Sequence, residues 1–413
     1  MNSPPRSIGA TPTIRPRSQR LKILVVAPQP FYEERGTPIA TRRLVRCLTS
    51  EGHAVDVLTY PIGREMSLAP ARTFRSPGLP GINEVPVGLS WRKIALDVPL
   101  VTAIARRAKP GAYDVVHAVE EAIFPALVLR RRHGAKVVYD MDSSLSASIL
   151  EGHWAFRAFA SPIRWLENWA VRASDLVLAV SDDLVDFARS HAHSADRVHV
   201  LRDTPVDEEP TGETPDDIRG AFPHAHTLAL YVGNLVSYQG IDLLVDAAER
   251  LPAGSGIGIA VIGGTDVRVA SFRDQVRQRG LTDRIHFFGR RPLGDLALYL
   301  AQADVLVSPR TRGGNTPLKI YSYMAAGRAI AATRLSTHTE VLDDTTAALF
   351  EPDGEALATT LEGLARDEVG RQRLGAAARA RAEERYSAEA YVCSLRNAYA
   401  SLQSVLLAAL ILL

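Results

Sequence analysis

The sequence contains 413 residues, which is enough for two domains of ~200 residues each. Hydrophobic residues make up 46% of the chain, an ordinary fraction for a globular protein. The formal net charge is only +2, so charge gives no reason to expect a nucleic-acid partner. The two cysteines, Cys47 and Cys393, have no metal-site spacing, and they predict a reducing compartment without disulfides.

The two ends of the chain differ from its body. Residues 1–20 are rich in Pro, Ser, Thr and Arg and lack the apolar run of a signal peptide, so we expect a disordered basic arm. Residues 405–413 are all apolar, but the stretch is far shorter than the about 20 residues that span a membrane. It predicts a terminal helix packed on the body, or, as the alternative, a contact with a membrane surface. We therefore expect a cytoplasmic protein, and the alternative adds peripheral contact with the inner face of the membrane.

Short apolar runs alternate with helical patterns along the chain, which is typical of α/β proteins with parallel sheets covered by helices on both faces. In the first half, strands are predicted at residues 21–27, 54–60, 114–118, 136–141, 176–180 and 198–201. The stretch 61–88 is rich in Pro and Gly and predicts an excursion over the surface. We expect residues 21–204 to form one Rossmann-like domain.

The second half repeats this organisation after a linker. Residues 203–217 are acidic and Pro-rich and are the predicted linker. Strands are then predicted at 228–232, 258–262, 285–288, 305–308, 329–332 and 348–350, with helices at 242–251 and 296–302 among them. Beyond about residue 355 the pattern is helical. We expect a second Rossmann-like domain over 205–385 and a last helix, 386–413, that crosses back onto the first domain.

The most informative segment of the chain is residues 313–327, Gly-Gly-Asn-Thr-Pro-Leu-Lys-Ile-Tyr-Ser-Tyr-Met-Ala-Ala-Gly. Thr316 is the predicted N-cap of a helix, Pro317 its first residue and Gly327 its end. The unpaired N–H groups and positive dipole end of such a helix form an anion site. Lys319 falls in the first turn, where a cation opposes the dipole, and this placement favours a bound anion.

A second segment has the same pattern. Gly36, Thr37 and Pro38 follow the first predicted strand, with Thr37 as the predicted cap and Pro38 as the first residue of a helix reaching about residue 51. Two such helix starts suggest that each domain directs a helix N-terminus at a shared cleft. The alternative for both is that Thr-Pro simply begins helices well.

Three predicted strands of the second domain end in glycine-containing loops. They carry Gly233 and Asn234, then Gly263 and Gly264, and finally Gly289 followed by Arg290 and Arg291. In open α/β sheets ligands bind at the carboxyl ends of strands, and glycine lets a ligand or another loop approach the backbone. Arg290 and Arg291 are candidates for contacts to a nucleobase, with solvated surface charges as the alternative.

A histidine and carboxylates lie at strand ends of the first domain. Histidine side chains suit proton exchange near neutral pH, so His117 could orient a hydroxyl or exchange a proton with it, with Glu120 and Glu121 close behind. Asp140 and Asp142 form an Asp-x-Asp pair that could hold Mg²⁺ or Mn²⁺ against a diphosphate. We expect no metal, because helix N-termini and a lysine would meet the phosphate instead.

Arginines cluster at three predicted helices of the first half. They are either solvated or bind anionic lipid headgroups, each contributing about 1 kcal/mol near a charged surface. The clusters are Arg42, Arg43 and Arg46, then Arg106 and Arg107, and Arg130 to Arg132.

Together these motifs resemble the GT-B glycosyltransferases of family 4 over roughly residues 21–395. The resemblance rests on the Gly-Thr-Pro loop, on Asp-Val-Val-His at 114–117, and on Tyr-Val-Gly-Asn-Leu at 231–235 running to Gly-Ile-Asp-Leu-Leu at 240–244. It rests most strongly on the ordered block 316–327 with Ala-Ile-Ala-Ala-Thr after it.

The resemblance implies a nucleotide-diphospho-sugar donor, UDP- or GDP-linked, held mainly by the second domain and a glycan or lipid-linked acceptor held mainly by the first. It implies transfer with retention of configuration and without a metal or other cofactor. His117 and Glu120 would act near the sugar, Lys319 at the leaving phosphate and Arg290 at the base. The remaining donor-side contacts would come from Gly36, Thr37, Gly233, Asn234, Gly263, Gly264, Asn315, Thr316, Pro317, Leu318 and Ser322.

The chain departs from the family pattern at four positions. Gly314 and Ser322 stand where many members carry the two glutamates of Glu-x7-Glu, and Asn234 and Gln239 stand where many carry Arg and Lys. Charge-assisted bonds contribute ~1.5–3 kcal/mol each, so the lost cations need a replacement. Lys319, with Arg310 or Arg312, is the proposed one.

Three functions follow from these observations. The leading hypothesis is a glycosyltransferase. The departures motivate an alternative, a GT-B scaffold that has lost catalysis and binds a partner. A sugar-nucleotide epimerase of the same fold is a third hypothesis, disfavoured because block 313–327 resembles the transferase version.

Overall fold

The structure is a computed structural model that describes residues 20–85, 90–152 and 159–411. The predicted disordered arm therefore lies outside the described residues, apart from Arg20. Side chains beyond residue 402 are likewise not described, which includes the apolar stretch 405–413.

The described strands form two parallel sheets. The first sheet has seven strands in the order β3-β2-β1-β4-β5-β6-β7, and the second has six in the order β10-β9-β8-β11-β12-β13. The strands are β1 (Lys22–Ala27), β2 (Ala54–Thr59), β3 (Arg72–Arg75), β4 (Val115–Val119), β5 (Lys136–Met141), β6 (Leu176–Ala179), β7 (Val198–Val200), β8 (Thr227–Val232), β9 (Ile257–Ile262), β10 (Ile285–Gly289), β11 (Val305–Ser308), β12 (Ala329–Thr333) and β13 (Ala348–Phe350).

Helices connect the strands, as parallel pairing requires. They are α1 (Gly36–Ser50), α2 (Trp91–Arg107), α3 (Ile123–Val128), α4 (Arg130–His133), α5 (Leu145–Gly152), α6 (Ala160–Ala173), α7 (Asp182–His191), α8 (Ile241–Arg250), α9 (Asp266–Gln278), α10 (Leu296–Gln302), α11 (Leu318–Ala326), α12 (Ser336–Thr339), α13 (Gly354–Arg366), α14 (Glu368–Arg385) and α15 (Ala388–Ile411).

All twelve predicted strands are present, each within one residue of its predicted bounds, and the fold is two Rossmann-like sheets as expected. The signal was strong because strands buried on both faces are continuous apolar runs, as in β4, where all five residues are buried. The helical pattern after residue 355 is confirmed by α13, α14 and α15.

The prediction that 61–88 is only a surface excursion was wrong. It contains β3, which pairs in parallel with β2, placing Asp56 beside Arg72. The short sequence Arg-Thr-Phe-Arg has no apolar run, so nothing local marks it as a strand. Long-range contacts hold it at the sheet edge: Arg72 Nε lies 2.8 Å from Asp56 Oδ1, and the Arg107 guanidinium stacks 3.3 Å from the Phe74 ring centre.

The second sheet has a hydrophobic core on each face. Alternate residues of β8 point to opposite sides, so Ala229 and Tyr231 enter one core and Leu228 and Leu230 the other. Residues of α8, α9 and α13 complete the first core, and residues of α10, α11 and α14 complete the second. This packing fixes α11 on one face of the sheet, with its start at the carboxyl ends of the strands.

The last helix returns to the first sheet, as predicted. α15 contacts β6 and β7, where the Ser401 hydroxyl lies 3.4 Å from Nε2 of His199. Among the helices of the described residues, none is both long enough and apolar enough to cross a membrane. The predicted linker 203–217 contains neither helix nor strand.

Candidate active site

The start of α11 differs from the predicted cap geometry. α11 begins at Leu318, with Pro317 as the flanking residue in an extended conformation, and none of the described side chains caps it. The predicted N-cap role of Thr316 was wrong, because its hydroxyl instead donates to Oε2 of Glu340 at 3.3 Å. An uncapped first turn keeps the positive dipole end available to an anion. Gly327 ends the helix in the left-handed conformation, as predicted.

Lys319 is partly buried, and its ammonium group contacts one residue of β8 and one residue of the segment after it. Its Nζ donates to Oε1 of Gln239 at 3.0 Å and lies 3.8 Å from the ring centre of Tyr231. Burial lowers the pKa of Lys319 well below its usual value, and the nearby Arg310 lowers it further. These two partners among the described residues are neutral, so a bound anion would stabilise the charged form of the ammonium group.

Gln239 stands where many family members carry a lysine. Its side-chain oxygen accepts from the ammonium group of Lys319, which comes from α11. The Tyr231 hydroxyl donates to the backbone oxygen of Asn234 at 2.6 Å and supports the same loop. The Asn234 side chain itself is exposed. The contact between Lys319 and Gln239 could not be read from the sequence, since it joins residues far apart in the chain.

Arg310 shapes the loop before α11. Its Nε donates to the carbonyl of Arg312 at 2.8 Å and its Nη1 to the carbonyl of Asn315 at 2.6 Å. At Gly313, whose φ is 144°, a Cβ would lie 2.0 Å from the Arg310 guanidinium. The positive φ favours glycine at this position, and a side chain there would also displace the Arg310 guanidinium.

The glycine loops of this domain pack on one another. The Gly263 amide donates to the Gly289 carbonyl at 2.7 Å, and a Cβ on Gly263 would lie 2.0 Å from the Gly233 carbonyl oxygen. A Cβ on Gly264 would meet the side chain of Leu235 at 2.5 Å. Gly263 and Gly264 are thus needed because the loop after β8 packs directly against their backbone. Their role toward a ligand stays a prediction.

Two further predicted donor contacts are engaged within the protein. Nε of Arg290 donates to the Gly264 carbonyl at 3.0 Å. The Ser322 hydroxyl is buried and accepts from the Val206 amide at 3.0 Å. Leu318 is the first residue of α11 and Asn315 lies in the loop held by Arg310. The structure leaves their predicted roles toward a nucleotide untested.

In the first sheet, His117 and Asp140 form a pair across adjacent strands. His117 lies on β4 and is fully buried, with its Nε2 3.0 Å from Oδ2 of Asp140 on β5. Asp140, the first residue of the Asp-x-Asp sequence, is thus already occupied by a histidine. Within the described ranges, no group of three His, Cys, Asp or Glu side chains could together hold a metal ion.

A lysine that the sequence analysis missed joins the carboxylates after β4. Lys93, from α2, lies 2.5 Å from Oε1 of Glu121 and 4.0 Å from Oε2 of Glu120. Burial raises the pKa of Glu121 to about 7, although Lys93 opposes the shift. Glu120 has a φ of 49°, unusual for a residue other than glycine, at the turn that directs both carboxylates.

The helix start in the first Gly-Thr-Pro segment also differs from the prediction, and here the helix begins earlier. α1 begins at Gly36, so Thr37 is its second residue and does not cap it, and Pro38 is the third. A Cβ on Gly36 would meet nothing within 4 Å. No close packing therefore requires glycine there, in contrast to Gly263.

Comparisons with known proteins agree with this architecture. Residues 35–203 match the family model described as glycosyl transferase 4-like domain, and residues 226–367 match that described as glycosyl transferases group 1. Two parallel Rossmann-like sheets, each matched by a glycosyltransferase model, define a GT-B enzyme. The chain belongs to the family 4 glycosyltransferases.

Individual relatives share at most about a third of their residues with this chain over the aligned segments. A D-inositol 3-phosphate glycosyltransferase from Xylanimonas cellulosilytica is 30% identical over 248 residues, which are 57% of this chain but only 58% of that protein. A phosphatidyl-myo-inositol mannosyltransferase from Mycobacterium leprae is 24% identical over 393 residues, covering 92% of this chain and 96% of the relative.

Solved structures share the fold at low identity. Sucrose-phosphate synthase from Thermosynechococcus elongatus superposes with a TM-score of 0.76 at 21% identity, covering 94% of this chain and 100% of that one. Anabaena HepE, solved with UDP-glucose, gives a TM-score of 0.70 at 16% identity, covering 93% of this chain and 100% of that one.

Proposed function

We propose that this glycosyltransferase moves a sugar from a nucleotide-diphospho-sugar to a hydroxyl acceptor, with retention of configuration and without a metal ion. The observation that carries the proposal is the uncapped start of α11 with Lys319 in its first turn. Helix N–H groups and an ammonium within one turn suit a diphosphate. The loop directly before the helix is held in place by Arg310, so it would keep the start of α11 fixed for the diphosphate.

In the proposed reaction the acceptor oxygen forms a bond to the anomeric carbon as the bond to the donor phosphate breaks. Negative charge then grows on the leaving diphosphate, where the α11 start and Lys319 stabilise it. The acceptor proton passes to the departing phosphate oxygen on the same face, so configuration is retained. His117, held by Asp140, orients the sugar, and Glu120 orients the acceptor hydroxyl.

The proposed classes of donor and acceptor are taken from the names of similar proteins. One structural neighbour was solved with UDP-glucose, and one relative is named for mannosyl transfer to phosphatidyl-myo-inositol. A UDP- or GDP-linked hexose and a glycan or lipid-linked acceptor are therefore proposed here. The protein would meet a lipid-linked acceptor at the inner face of the membrane, from the cytoplasm.

Helix α2 offers a surface for that membrane contact. Trp91, Ile94 and Val98, spaced to share one face, are 68%, 55% and 68% exposed. Arg92 lies beside this face, 5.8 Å from the Trp91 ring centre, and pairs with Glu84 at 3.2 Å. An apolar stripe with Trp at its end and an arginine beside it suits the interface of an anionic bilayer.

Nucleotide binding tests the enzymatic proposal. Calorimetric titration of UDP, GDP and ADP in EDTA should reveal one binding nucleotide, with binding lost in Lys319→Ala and kept in Lys109→Ala, which removes an exposed lysine. Binding that requires Mg²⁺ would overturn the metal-free site. No binding of any nucleotide, with no slow donor hydrolysis, would favour the inactive scaffold.

Vesicle sedimentation tests the membrane contact. The protein should sediment with phosphatidylglycerol vesicles more than with phosphatidylcholine vesicles, and Trp91→Ser with Val98→Ser should reduce that fraction. Val267→Ser, which removes an exposed valine at α9, is the matched control. Equal sedimentation of all three proteins would exclude α2 as the contact surface.

A further inference from the structure

A buried histidine bridges the ends of two adjacent strands beneath the loop that precedes α11. His338, in α12, is fully buried. Its Nε2 lies 3.0 Å from the hydroxyl of Ser308, the last residue of β11. Its Nδ1 lies 2.8 Å from the carbonyl oxygen of Thr333, the last residue of β12. The ring therefore joins the carboxyl ends of these two strands.

The partners of this ring define its protonation state. A carbonyl oxygen only accepts, so Nδ1 carries the hydrogen that is donated to Thr333. Nε2 is then free of hydrogen and accepts from the Ser308 hydroxyl. Burial lowers the pKa of His338 to about 4, and the charges of Arg310 and Lys319 lower it as well. The ring is neutral at physiological pH, and its Nδ1–H form satisfies both neighbours.

The network continues from the histidine to the loop. The Thr333 hydroxyl donates to the backbone carbonyl of Arg310 at 2.6 Å, and lies 3.1 Å from Nδ1 of His338, from which it can accept. Arg310 in turn donates to the carbonyls of Arg312 and Asn315. A continuous set of hydrogen bonds therefore runs from His338 through one threonine to the segment just before α11.

We propose that His338 is a positioning residue for the donor site. Its neutral Nδ1–H form fixes Thr333, Thr333 fixes the backbone of Arg310, and Arg310 holds loop 312–315 so that the start of α11 is presented to the diphosphate. The inference rests on the proposed function and adds a residue that does not touch the substrate. Such support from behind a site is needed to hold binding groups within a fraction of an ångström.

Steady-state kinetics with four variants tests it. Thr333→Val keeps the side-chain shape but removes the hydroxyl, and should raise the donor KM and the nucleotide Kd about three- to tenfold. The kcat at saturating donor should change by less than about twofold, because the chemical step is untouched. His338→Leu should act in the same way, and His338→Asn, whose amide can donate at the Nδ1 position, should recover most of the affinity. Thr337→Val is the matched control, since Thr337 is buried in the same helix with a hydroxyl that has no partner among the described residues.

Coupling and tautomer measurements separate positioning from simple stability. The effects of Thr333→Val and His338→Leu on Kd should be strongly non-additive, since both interrupt one network. Nitrogen NMR should show the Nδ1–H tautomer, unchanged from pH 6 to 8. Wild-type Kd and KM in folded Thr333→Val would overturn the proposal, as would additive effects or an Nε2–H ring. If His338→Leu fails to fold, Thr333→Val alone decides.

The outcomes also separate this inference from the proposed function. If Lys319→Ala weakens nucleotide binding while Thr333→Val does not, only the positioning role fails. If neither variant changes binding, the donor site itself is misplaced.

Discussion

Replacing Lys319 with methionine keeps an unbranched side chain of similar length and removes its charge. Nζ of the lysine lies 3.0 Å from Oε1 of Gln239 and 3.8 Å from the centre of the Tyr231 ring, and these partners are neutral. The unliganded protein therefore loses one neutral-acceptor hydrogen bond and one ring contact. It also gains, because a buried cation no longer has to lose its water. We expect the variant to be as stable as the wild type, or more stable.

The cost should instead appear in turnover. A charge-assisted bond to a phosphate contributes ~1.5–3 kcal/mol, and the charge on the phosphate grows as the sugar leaves. Since about 1.4 kcal/mol corresponds to a factor of ten, kcat/KM for the donor should fall about ten- to hundredfold. Lys319→Ala should behave similarly in turnover. Unchanged kcat/KM in a folded Lys319→Met protein would refute the role of this lysine.

The lowered pKa of Lys319 gives a second, independent readout. A diphosphate beside the ammonium favours its charged form, so nucleotide binding should take up protons above the lowered pKa. Calorimetry in two buffers of different ionisation enthalpy measures this uptake, which should vanish in Lys319→Met. In the unliganded protein the folded-state pKa lies below the unfolded one, so stability falls as pH decreases from the unfolded value through the folded one. The methionine variant should lack this component.

Three further predictions concern other parts of the molecule. Burial raises the pKa of Glu121 to about 7. Its contribution to the free energy of unfolding is therefore complete below its unfolded pKa and is lost as the pH rises through 7. In denaturant titrations, Glu121→Gln should remove this pH dependence of stability. His117→Gln can keep the bond to Asp140, yet should lower kcat by at least about a hundredfold if the imidazole acts near the sugar, and wild-type kcat would exclude that role. Gly263→Ala should destabilise by about 2 kcal/mol or more, because its Cβ would lie 2.0 Å from a carbonyl oxygen at a φ of 112°. Gly363→Ala, in an open position of α13, should instead stabilise by ~0.5–1 kcal/mol in the same thermal unfolding assay, and equal effects of the two would contradict the packing argument.

Much of the fold was predictable because its strands are buried on both faces. Runs such as residues 22–27 are apolar at nearly every position, and each run is separated from the next by a helical pattern. Each of these strands could therefore be predicted from its own short stretch of sequence. Strand β3 was missed because only its partner makes it a strand. Its exposed Arg72 is placed by Asp56, and no periodicity within four residues could reveal that pairing.

The candidate site likewise has features that the sequence predicts and contacts that only the structure reveals. The sequence marked where α11 begins to within two residues, where it ends, and that a lysine lies in its first turn, because glycine, proline and threonine constrain the backbone locally. It assigned the Thr316 hydroxyl to the helix end, whereas Glu340, brought close only by folding, accepts from it.

The sequence by itself thus determined the fold class, the strand-end loops and the residues at the start of α11, since these depend on neighbours within a turn or a strand. The tertiary structure alone decided that Lys319 contacts Gln239, that Lys93 joins the carboxylates after β4, and that His338 lies under the loop before α11. Each of these contacts joins elements far apart in the chain. Their positions depend on how the sheet and its helices pack, and no short stretch of residues encodes that packing.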